Sequence, residues 1–303
     1  MSKFIFDELT GIPTILATDR VNRPDQTHTT SSIAPSDKVC IFCKGAEHLT
    51  PQAVYQDSDD WNVRVFKNKF PLVDDHEIIV HSPCHDDIED LPLEQNIKLV
   101  RAYLNRVHLY NSQDKEVMIF NNRGGKAGAS IVHPHSQIIA LKGFPGIIER
   151  EKEEALKYYN SKTSCYWCDE VKSELADRSR VVFESPHFVL LVPKASRWSY
   201  ELHLVPKEHK PNFEFINEME ISDLARILKA ALSAYNILFS RPDRNFWLHT
   251  MRFEPYHWHV GLIPQIKVLG SLELGAGIWV SDRATPEDAA KTLGEHVKRE
   301  YEK

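Results

Sequence analysis

The sequence predicts an α+β fold made of two tandem repeats with mainly antiparallel sheets. Short cysteine and histidine motifs recur at one offset of 124 or 125 residues. They are two C-x-x-C pairs, two H-x-H pairs and one intervening histidine in each set: Cys40/Cys43 and Cys165/Cys168, His133/His135 and His257/His259, His85 and His209. Three motifs in the same order at one offset indicate an internal duplication. We therefore divide the chain into an N-terminal domain, 1–150, and a C-terminal domain, 151–303.

Secondary-structure patterns keep the same register in the two halves. The strand-like segments HEIIVHSPCH and YELHLVPKEH each precede an amphipathic helical pattern, which starts at Leu93 in the first half and at Met219 in the second. The strand-like runs EVMIFNN and FWLHTMRF follow, and then the H-x-H pairs. Strands, one long helix and more strands in each half indicate the α+β class.

Two further helices are expected outside the repeated pattern. The charged segment IIEREKEEALKYYNSK predicts a helix that joins the halves. The segment TPEDAAKTLGEHVKREYE predicts a closing helix, with Thr285 as N-cap, Pro286 at the first helical position and acidic residues in the first turn.

The composition of the 303-residue chain narrows the class of protein. Hydrophobic residues at 42% and charged residues at 26% are ordinary for a soluble globular protein, which excludes disordered and fibrous classes. No apolar run approaches the ~20 residues that cross a bilayer, so we expect no membrane partner and a cytoplasmic location. A net charge of −6 disfavours nucleic acid as a partner and leaves room for a local anion pocket.

The repeated cysteines and histidines predict two zinc sites. A C-x-x-C pair supplies two thiolates, half of a tetrahedral site, and distant histidines supply the other two ligands. The expected ligand sets are Cys40, Cys43, His85 and His133 in the first half, and Cys165, Cys168, His209 and His257 in the second. A redox dithiol would need a βαβ setting that neither half shows, and buried unliganded cysteines are the other alternative. The long gaps between ligands argue against a zinc finger.

Two residues near these motifs have plainer interpretations. Cys84 has no counterpart in the second half, where Glu208 stands, and is expected to be a small buried hydrophobe. His249 is expected to be a hydrogen-bonded core histidine, with a second cation near His249, His257 or Glu151 as the alternative.

Only the first half carries a pattern for phosphoryl chemistry. The run NNRGGKAGAS before His133 contains three glycines, whose backbone N–H groups can wrap a phosphate, whereas TMRFEPY in the second half has none. If His133 holds zinc, His135 is free to attack phosphorus, with the His133 carbonyl as a partner for its other ring nitrogen. Ser130, Gln137 and Asn122 would then hydrogen-bond the phosphoryl oxygens.

The motif HPHSQ after a glycine-rich loop resembles the active-site signature of the galactose-1-phosphate uridylyltransferase family, in the histidine-triad superfamily. The resemblance covers nearly the whole chain, through LTGIPTILATDRVNRP, CIFCKG, VRVFKNKFPLV, HSPCH, FNNRGG and the PKEH segment. It implies histidine-triad-like (HIT-like) halves, zinc as cofactor, and His135 as a nucleophile that forms a covalent nucleotidyl-histidine. It also implies phosphate or nucleotide contacts for six residues: Arg20, Arg23, Asn68, Asn122, Ser130 and Gln137. Homodimers are common in this family, so a homodimer is expected.

The resemblance implies nucleotidyl transfer between a nucleotide sugar and a sugar phosphate by double displacement, as in a UDP-glucose–hexose-1-phosphate uridylyltransferase. Gln137 stands where the hydrolase branch has a third histidine, which favours a transferase. Gly277 in LELGAGIWV replaces a hexose-contacting glutamate of members from common bacteria and resembles the ADP-glucose phosphorylase branch. The open alternatives are an ADP-glucose:phosphate adenylyltransferase, a dinucleotide phosphorylase or hydrolase, and a zinc-stabilised nucleotide-binding module.

Overall fold

The structure is a computed structural model that describes residues 3–17, 20 and 39–303. An N-terminal hairpin comes first and consists of β1 (Lys3–Phe6) and β2 (Pro13–Leu16). The first half continues with β3 (Ala53–Gln56), β4 (Arg64–Lys67), β5 (His76–Val80), α1 (Leu93–Asn111), β6 (Glu116–Arg123) and β7 (His135–Leu141). The second half contains α2 (Ile147–Lys162), α3 (Tyr166–Asp177), β8 (Val181–Glu184), β9 (Phe188–Leu191), β10 (Leu202–Pro206), α4 (Glu218–Phe239), β11 (Arg244–Thr250), β12 (His259–Pro264), α5 (Ser271–Ala276) and α6 (Pro286–Tyr301).

Ten strands form one continuous antiparallel sheet, in the order β3-β4-β5-β7-β6-β11-β12-β10-β9-β8. From the outer edge inwards, each half contributes its strands in the same order, and the halves meet where β6 pairs with β11. The predicted α+β class with antiparallel sheets is confirmed. The division of the chain at residue 150 stays a prediction, since the sheet runs unbroken across both halves.

The main hydrophobic core lies between one face of this sheet and the helices α1, α4 and α6. α4 begins at a capping box, in which the Asn217 side chain accepts from the Glu220 amide and the Glu220 carboxylate accepts from the Asn217 amide. Its apolar residues recur at three- and four-residue spacing and are buried in the core: Ile221, Leu224, Leu228, Leu232 and Tyr235. The helices cover this face and leave the opposite face of the sheet for a site.

Side chains of β7 alternate between the two faces. Ile138 and Ala140 are buried in the helix-covered core, whereas Ile139 packs on the opposite face with Ile148 of α2. His135 and Gln137 share the face of Ile139, as the alternation predicts. The H-x-H segment therefore presents its second histidine on the face that the main helices leave uncovered.

The predicted helices are found close to their expected bounds. α1 begins at Leu93, α2 is the charged joining helix, and α6 begins at Pro286, where the Thr285 hydroxyl accepts from the Asp288 amide. The sequence patterns above do not predict α3, which begins directly after Cys165, although Val171 and Leu175 are spaced as on a helical face. Within the described ranges, no helix combines the length and the apolar character needed to cross a membrane.

Candidate active site and metal centres

The first predicted ligand set comes together in the structure. The ligand atoms of Cys40, Cys43, His85 and His133 lie within 4.8 Å of one another, and Nδ1 of His133 lies 3.4 Å and 3.6 Å from the two sulfurs. His133 donates from Nε2 to the Ser82 carbonyl at 3.0 Å, which leaves the Nδ1 lone pair directed at the thiols. Two sulfurs and two imidazole nitrogens are the donor set of a tetrahedral zinc site.

The second predicted set also comes together, on different local structure. The ligand atoms of Cys165, Cys168, His209 and His257 lie within 4.8 Å of one another. Cys165 is the N-cap residue of α3, whereas Cys40 and Cys43 lie in a turn closed by the Cys43 amide and the Cys40 carbonyl at 3.2 Å. The chain therefore contains two Cys₂His₂ groups able to bind a metal ion.

The expectation for Cys84 is wrong. Its side chain is exposed, in the surface loop that follows β5, and its thiol donates to the Asp86 carboxylate at 3.1 Å. The next residue, His85, belongs to the first ligand set.

A third group of metal-binding side chains lies in the second half. Oxygen and nitrogen atoms of Glu151, His249 and His259 lie within 4.8 Å of one another. Glu151 accepts from Nδ1 of His249 at 3.0 Å and from the Tyr256 hydroxyl at 2.8 Å. Burial raises the pKa of Glu151, but the neighbouring His249 outweighs it and lowers this pKa to about 2. His249 is thus hydrogen-bonded as expected, and His259 lies beside it while His257 belongs to the cysteine set.

His135 has the geometry of a neutral nucleophile. Its Nδ1 lies 2.8 Å from the His133 carbonyl oxygen, which can only accept, so Nδ1 carries the proton and Nε2 the lone pair. Burial lowers the pKa of His135 to about 4, which keeps the ring uncharged near neutral pH. The Phe42 ring packs edge-on against the imidazole, with centroids 5.2 Å apart.

His135 lines a cavity of about 290 Å³ on the open face of the sheet. Four of the predicted substrate-binding residues line the same cavity: Arg20, Asn68, Ser130 and Gln137. Asn122 lies beside it, with its Oδ1 accepting from Asn245 at 2.8 Å and its amide nitrogen facing Gly128. Arg23 lies outside the described residues. Apolar walls from Phe42, Phe66, Phe70 and Ile78 complete a pocket suited to a flat ring next to a phosphate.

The orientation of Gln137 depends on His76, which no motif in the sequence marks as a site residue. His76 donates from Nε2 to Oε1 of Gln137 at 2.9 Å, and its Nδ1 accepts from the Leu72 amide at 2.9 Å. Since Oε1 is occupied, the Gln137 NH₂ group is the end left to donate into the cavity. His76 and Gln137 lie on neighbouring strands, β5 and β7, so a pairing of these strands would have been the signal.

The glycine-rich loop differs from the expected backbone cradle. Its Lys126 amide donates to the Asp243 carboxylate at 2.7 Å, and its Gly128 and Ala129 amides donate to carbonyls of the same loop. These three N–H groups are therefore used within the protein, and the loop contributes Gly128 and Ser130 to the cavity. Glycine is required at 124, where φ is +85° and a Cβ atom would lie 1.9 Å from Asp243.

Two family models match the chain. Residues 151–293 match galactose-1-phosphate uridyl transferase, C-terminal domain, and residues 25–144 match the N-terminal domain of a domain of unknown function, DUF4931. Several curated relatives span most of the chain, and two of them cover at least 87% of it. The ADP-glucose phosphorylase of Arabidopsis thaliana is 26% identical over 95% of this chain and 91% of its own, and the galactose-1-phosphate uridylyltransferase of Thermotoga maritima is 28% identical over 87% and 91%.

Solved structures agree with these relatives. The Arabidopsis thaliana ADP-glucose phosphorylase with bound ADP-glucose is 26% identical, with a TM-score of 0.78 over 97% of this chain and 99% of its own. A uridylyltransferase structure is 25% identical, with a TM-score of 0.81 over 99% of both chains. On these matches, the second half of the chain carries the C-terminal domain of galactose-1-phosphate uridyl transferases, and the chain as a whole is similar to nucleotidyltransferases, namely uridylyltransferases and an ADP-glucose phosphorylase.

Proposed function

We propose that this protein transfers a nucleotidyl group from a nucleoside diphosphate sugar through a covalent intermediate on His135. The observation that carries the proposal is the imidazole itself, which is neutral, fixed by the His133 carbonyl, and placed in a cavity with Ser130, Gln137 and Arg20. In its primary form the activity is that of a UDP-glucose–hexose-1-phosphate uridylyltransferase.

The reaction consists of two displacements at the α-phosphorus. Nε2 of His135 attacks, an N–P bond forms, and the bond from phosphorus to the bridging oxygen breaks, so that sugar 1-phosphate leaves with that oxygen. A phosphate oxygen of the acceptor then attacks phosphorus, and the N–P bond breaks to restore the neutral imidazole. The ring gains positive charge while it carries the nucleotidyl group, and its hydrogen bond from Nδ1 to the His133 carbonyl stabilises that charge.

Gln137 supports a transferase over a hydrolase. Its oxygen is held by His76, which leaves the amide hydrogens as donors to a phosphoryl oxygen as charge develops there. An amide donates hydrogen bonds but does not transfer a proton. A sugar 1-phosphate leaves as a stable anion, so no general acid is needed at this position.

We propose zinc in both Cys₂His₂ groups, because thiolates and imidazoles at this spacing fit that ion. Bound zinc would cross-link distant loops and would supply no chemistry to the substrate. In the first set it would hold His133, whose carbonyl in turn holds His135, so the predicted role of this set is to keep the nucleophile in place.

A second candidate, ADP-glucose:phosphate adenylyltransferase, is favoured by two observations. The Arabidopsis thaliana relative named ADP-glucose phosphorylase is similar over 95% of this chain. In addition, Gly277 adopts a left-handed conformation, φ +67°, at the end of α5, where a glutamate would be strained. The chain therefore has no glutamate at position 277 to contact a hexose, which it shares with the ADP-glucose phosphorylase branch that this segment resembles.

A homodimer is supported by apolar side chains that are exposed around α5. Val268 is 83% exposed, Leu274 is 75% exposed and Ile278 is 57% exposed. Contiguous exposed apolar residues often mark contact surfaces. Light scattering on the purified chain would show twice the mass of the 303-residue polypeptide if this proposal is right.

The decisive experiment is covalent trapping with two donors. The protein is incubated with UDP-glucose or ADP-glucose that carries ³²P at the α-phosphorus, without acceptor, and is run on a denaturing gel. Label from UDP-glucose alone supports uridylyl transfer, and label from ADP-glucose alone supports the adenylyl alternative. Release of the label by hexose 1-phosphate or by inorganic phosphate identifies the acceptor. Absence of label from both donors would contradict the proposed function and favour a binding module.

A further inference from the structure

We propose that Arg244, in the second half, is a positioning residue for His135, and that it acts through Asn121. This inference rests on the proposed function, because it concerns the nucleophile of that reaction. Arg244 does not line the cavity, so it is not a catalytic residue. Its effect would pass through one buried side chain that links the two halves of the sheet.

The link consists of two short hydrogen bonds. Nδ2 of Asn121 donates to the backbone carbonyl of His135 at 2.7 Å. Oδ1 of the same amide accepts from the Arg244 guanidinium at 2.6 Å. Because both ends of the Asn121 amide are engaged, the guanidinium determines which end of the amide faces His135.

Arg244 is itself fixed by ion pairs. The residue is fully buried, and its guanidinium donates to Asp87 at 2.8 Å and to Glu89 at 3.0 Å. Asp87 and Glu89 follow the loop that carries His85, whereas Arg244 begins β11 in the second half. A buried charge with two carboxylate partners has one strongly preferred position, so it is a rigid support for Asn121.

The backbone at His135 is held on both sides of the ring. The Nδ1 hydrogen bond fixes the imidazole to the His133 carbonyl, and Asn121 fixes the peptide that follows His135. The next residue, Ser136, shares its hydroxyl with His81 at 2.8 Å and with Tyr103 at 2.6 Å. These contacts determine where Nε2 points, and a displacement of about 1 Å can cost ~10²-fold in rate.

The second half shows that the fold does not require these polar groups. Strand pairing places Ser136 opposite Asn121 in the first half and Val260 opposite Leu248 in the second. His81 follows Val80, which pairs with His135, whereas the second half has the apolar residues Val205 and Pro206 after Leu204, which pairs with Val260. The three positions next to His135, Asn121, Ser136 and His81, are thus polar and buried, whereas the corresponding positions next to His259 are apolar.

This difference points to a role in positioning. Buried polar groups cost stability relative to apolar ones, so an arrangement of them that the fold can omit needs another explanation. The half that lacks the arrangement also has the looser ring: Nδ1 of His259 lies 3.3 Å from its carbonyl, against 2.8 Å for His135.

The test compares the full-length wild type with Asn121→Leu, which copies Leu248, with Arg244→Met, and with the double variant. Single-turnover labelling of His135 by its nucleotide sugar should slow about 10- to 100-fold in each single variant, with KM for the donor within about threefold of wild type. The double variant should be no slower than the slower single variant by more than about threefold, because both changes break one link.

A matched control separates positioning from general stability. Arg180→Met removes another buried arginine, which pairs with Glu174 in the second half and does not contact His135. It should lower the melting temperature while leaving the labelling rate unchanged. Asn121→Leu, which removes no charge, keeps the test valid if Arg244→Met fails to fold.

A second measurement does not need activity. The Nδ1 proton of His135 should be observed by NMR as a slowly exchanging signal in wild type and should exchange faster in Asn121→Leu. Folded variants that label at the wild-type rate and keep this signal would overturn the inference. A wild-type protein that labels with no donor would overturn the proposed function alone, and the proton signal would still decide whether Asn121 positions the ring.

Discussion

Each half of this protein has a cavity that is lined by the second histidine of an H-x-H pair, and the two cavities differ in the charged side chains around that histidine. Each has an H-x-H pair whose second histidine bonds through Nδ1 to the carbonyl two residues earlier. Each has an aromatic ring from the C-x-x-C pair against that histidine, Phe42 at 5.2 Å from His135 and Trp167 at 4.8 Å from His259. Each histidine lines a cavity, of about 290 Å³ in the first half and 490 Å³ in the second.

The residues around the two histidines explain why only one is expected to react. Among the described residues, Arg20 and Lys69 line the first cavity and no carboxylate does, whereas Glu151 and Glu154 line the second cavity beside Lys157. The lowered pKa of Glu151 keeps its carboxylate charged. A carboxylate repels a phosphate and attracts a cation. The strand register places Gly261 of the second half at the position that Gln137 has in the first half. The Trp247 ring occupies the space next to Gly261, since a Cβ atom on Gly261 would lie 2.6 Å from it. The scaffold places an imidazole, and its neighbours determine what the imidazole does.

The largest expected difference is between His135 and His259. His135→Asn should lower covalent labelling and turnover by at least ~10⁴-fold, because the nitrogen that bonds phosphorus is absent. His259→Asn should keep both within about threefold, since it lies in the other cavity. Gel labelling and steady-state turnover would measure both. An equal loss in the two variants would mean that the second cavity takes part in the reaction.

Much of this comparison could be predicted from the sequence, because metal ligands and nucleophiles are restricted to a few residue types. The offset of the C-x-x-C and H-x-H pairs led to both Cys₂His₂ groups, which the structure brings together. The 3.6-residue period of the segment from Met219 led to α4.

Other features depend on contacts between strands that are distant in the sequence. In the sequence, His76 is an ordinary strand residue, and only the pairing of β5 with β7 brings it to Gln137. The hydrogen-bond partners of Arg244 lie in the first half, far from it in the sequence. The glycine-rich loop looks like an amide cradle until Asp243, more than a hundred residues later, takes the Lys126 amide. Local patterns cannot reveal such pairings, so the support of His135 by Asn121 and Arg244 was not predictable, whereas its hydrogen bond to the His133 carbonyl was.

The next largest effect concerns the two metal sets. Cys40→Ser and Cys168→Ser should each lower bound zinc by about one equivalent per chain, measured by plasma mass spectrometry. Cys40→Ser should also slow turnover ~10²-fold, because His133 holds the imidazole of His135 through its carbonyl. Cys168→Ser should destabilise the protein while turnover at low temperature stays within about threefold. Equal losses of turnover would show that zinc acts only through overall stability.

A comparable effect on turnover, without loss of bound zinc, is expected at the amide of the first cavity. Gln137→Ala should lower kcat by ~10²-fold with little change in KM, because its hydrogen bond strengthens in the transition state. His76→Leu should have about a tenfold effect through loss of the orienting bond to Gln137. His203→Leu, at the wall of the second cavity, is the matched control and should leave kcat unchanged. A rise in KM alone for Gln137→Ala would assign this side chain to substrate binding only.

The smallest effect is expected from mild acid. Burial lowers the pKa of His76 and of His135 to about 4, against about 6.5 in an unfolded chain, so both rings stay neutral down to about pH 4 in the folded protein. The profile of kcat/KM should therefore be flat from pH 8 to about pH 5, with an acid limb centred near pH 4.

The free energy of unfolding depends on pH over a different range, because these histidines bind protons at a higher pH in the unfolded chain than in the folded protein. The stability that the neutral rings contribute is fully present above pH 6.5 and is lost as pH falls towards 4, by up to ~1.4 kcal/mol per pH unit for each ring. When both are measured on the same samples between pH 8 and pH 4.5, the melting temperature should thus begin to fall at a higher pH than kcat/KM does. An acid limb of kcat/KM centred near pH 6.5 would mean that the nucleophile is solvated like an exposed histidine, and the contrast between the two cavities would then not rest on a buried imidazole.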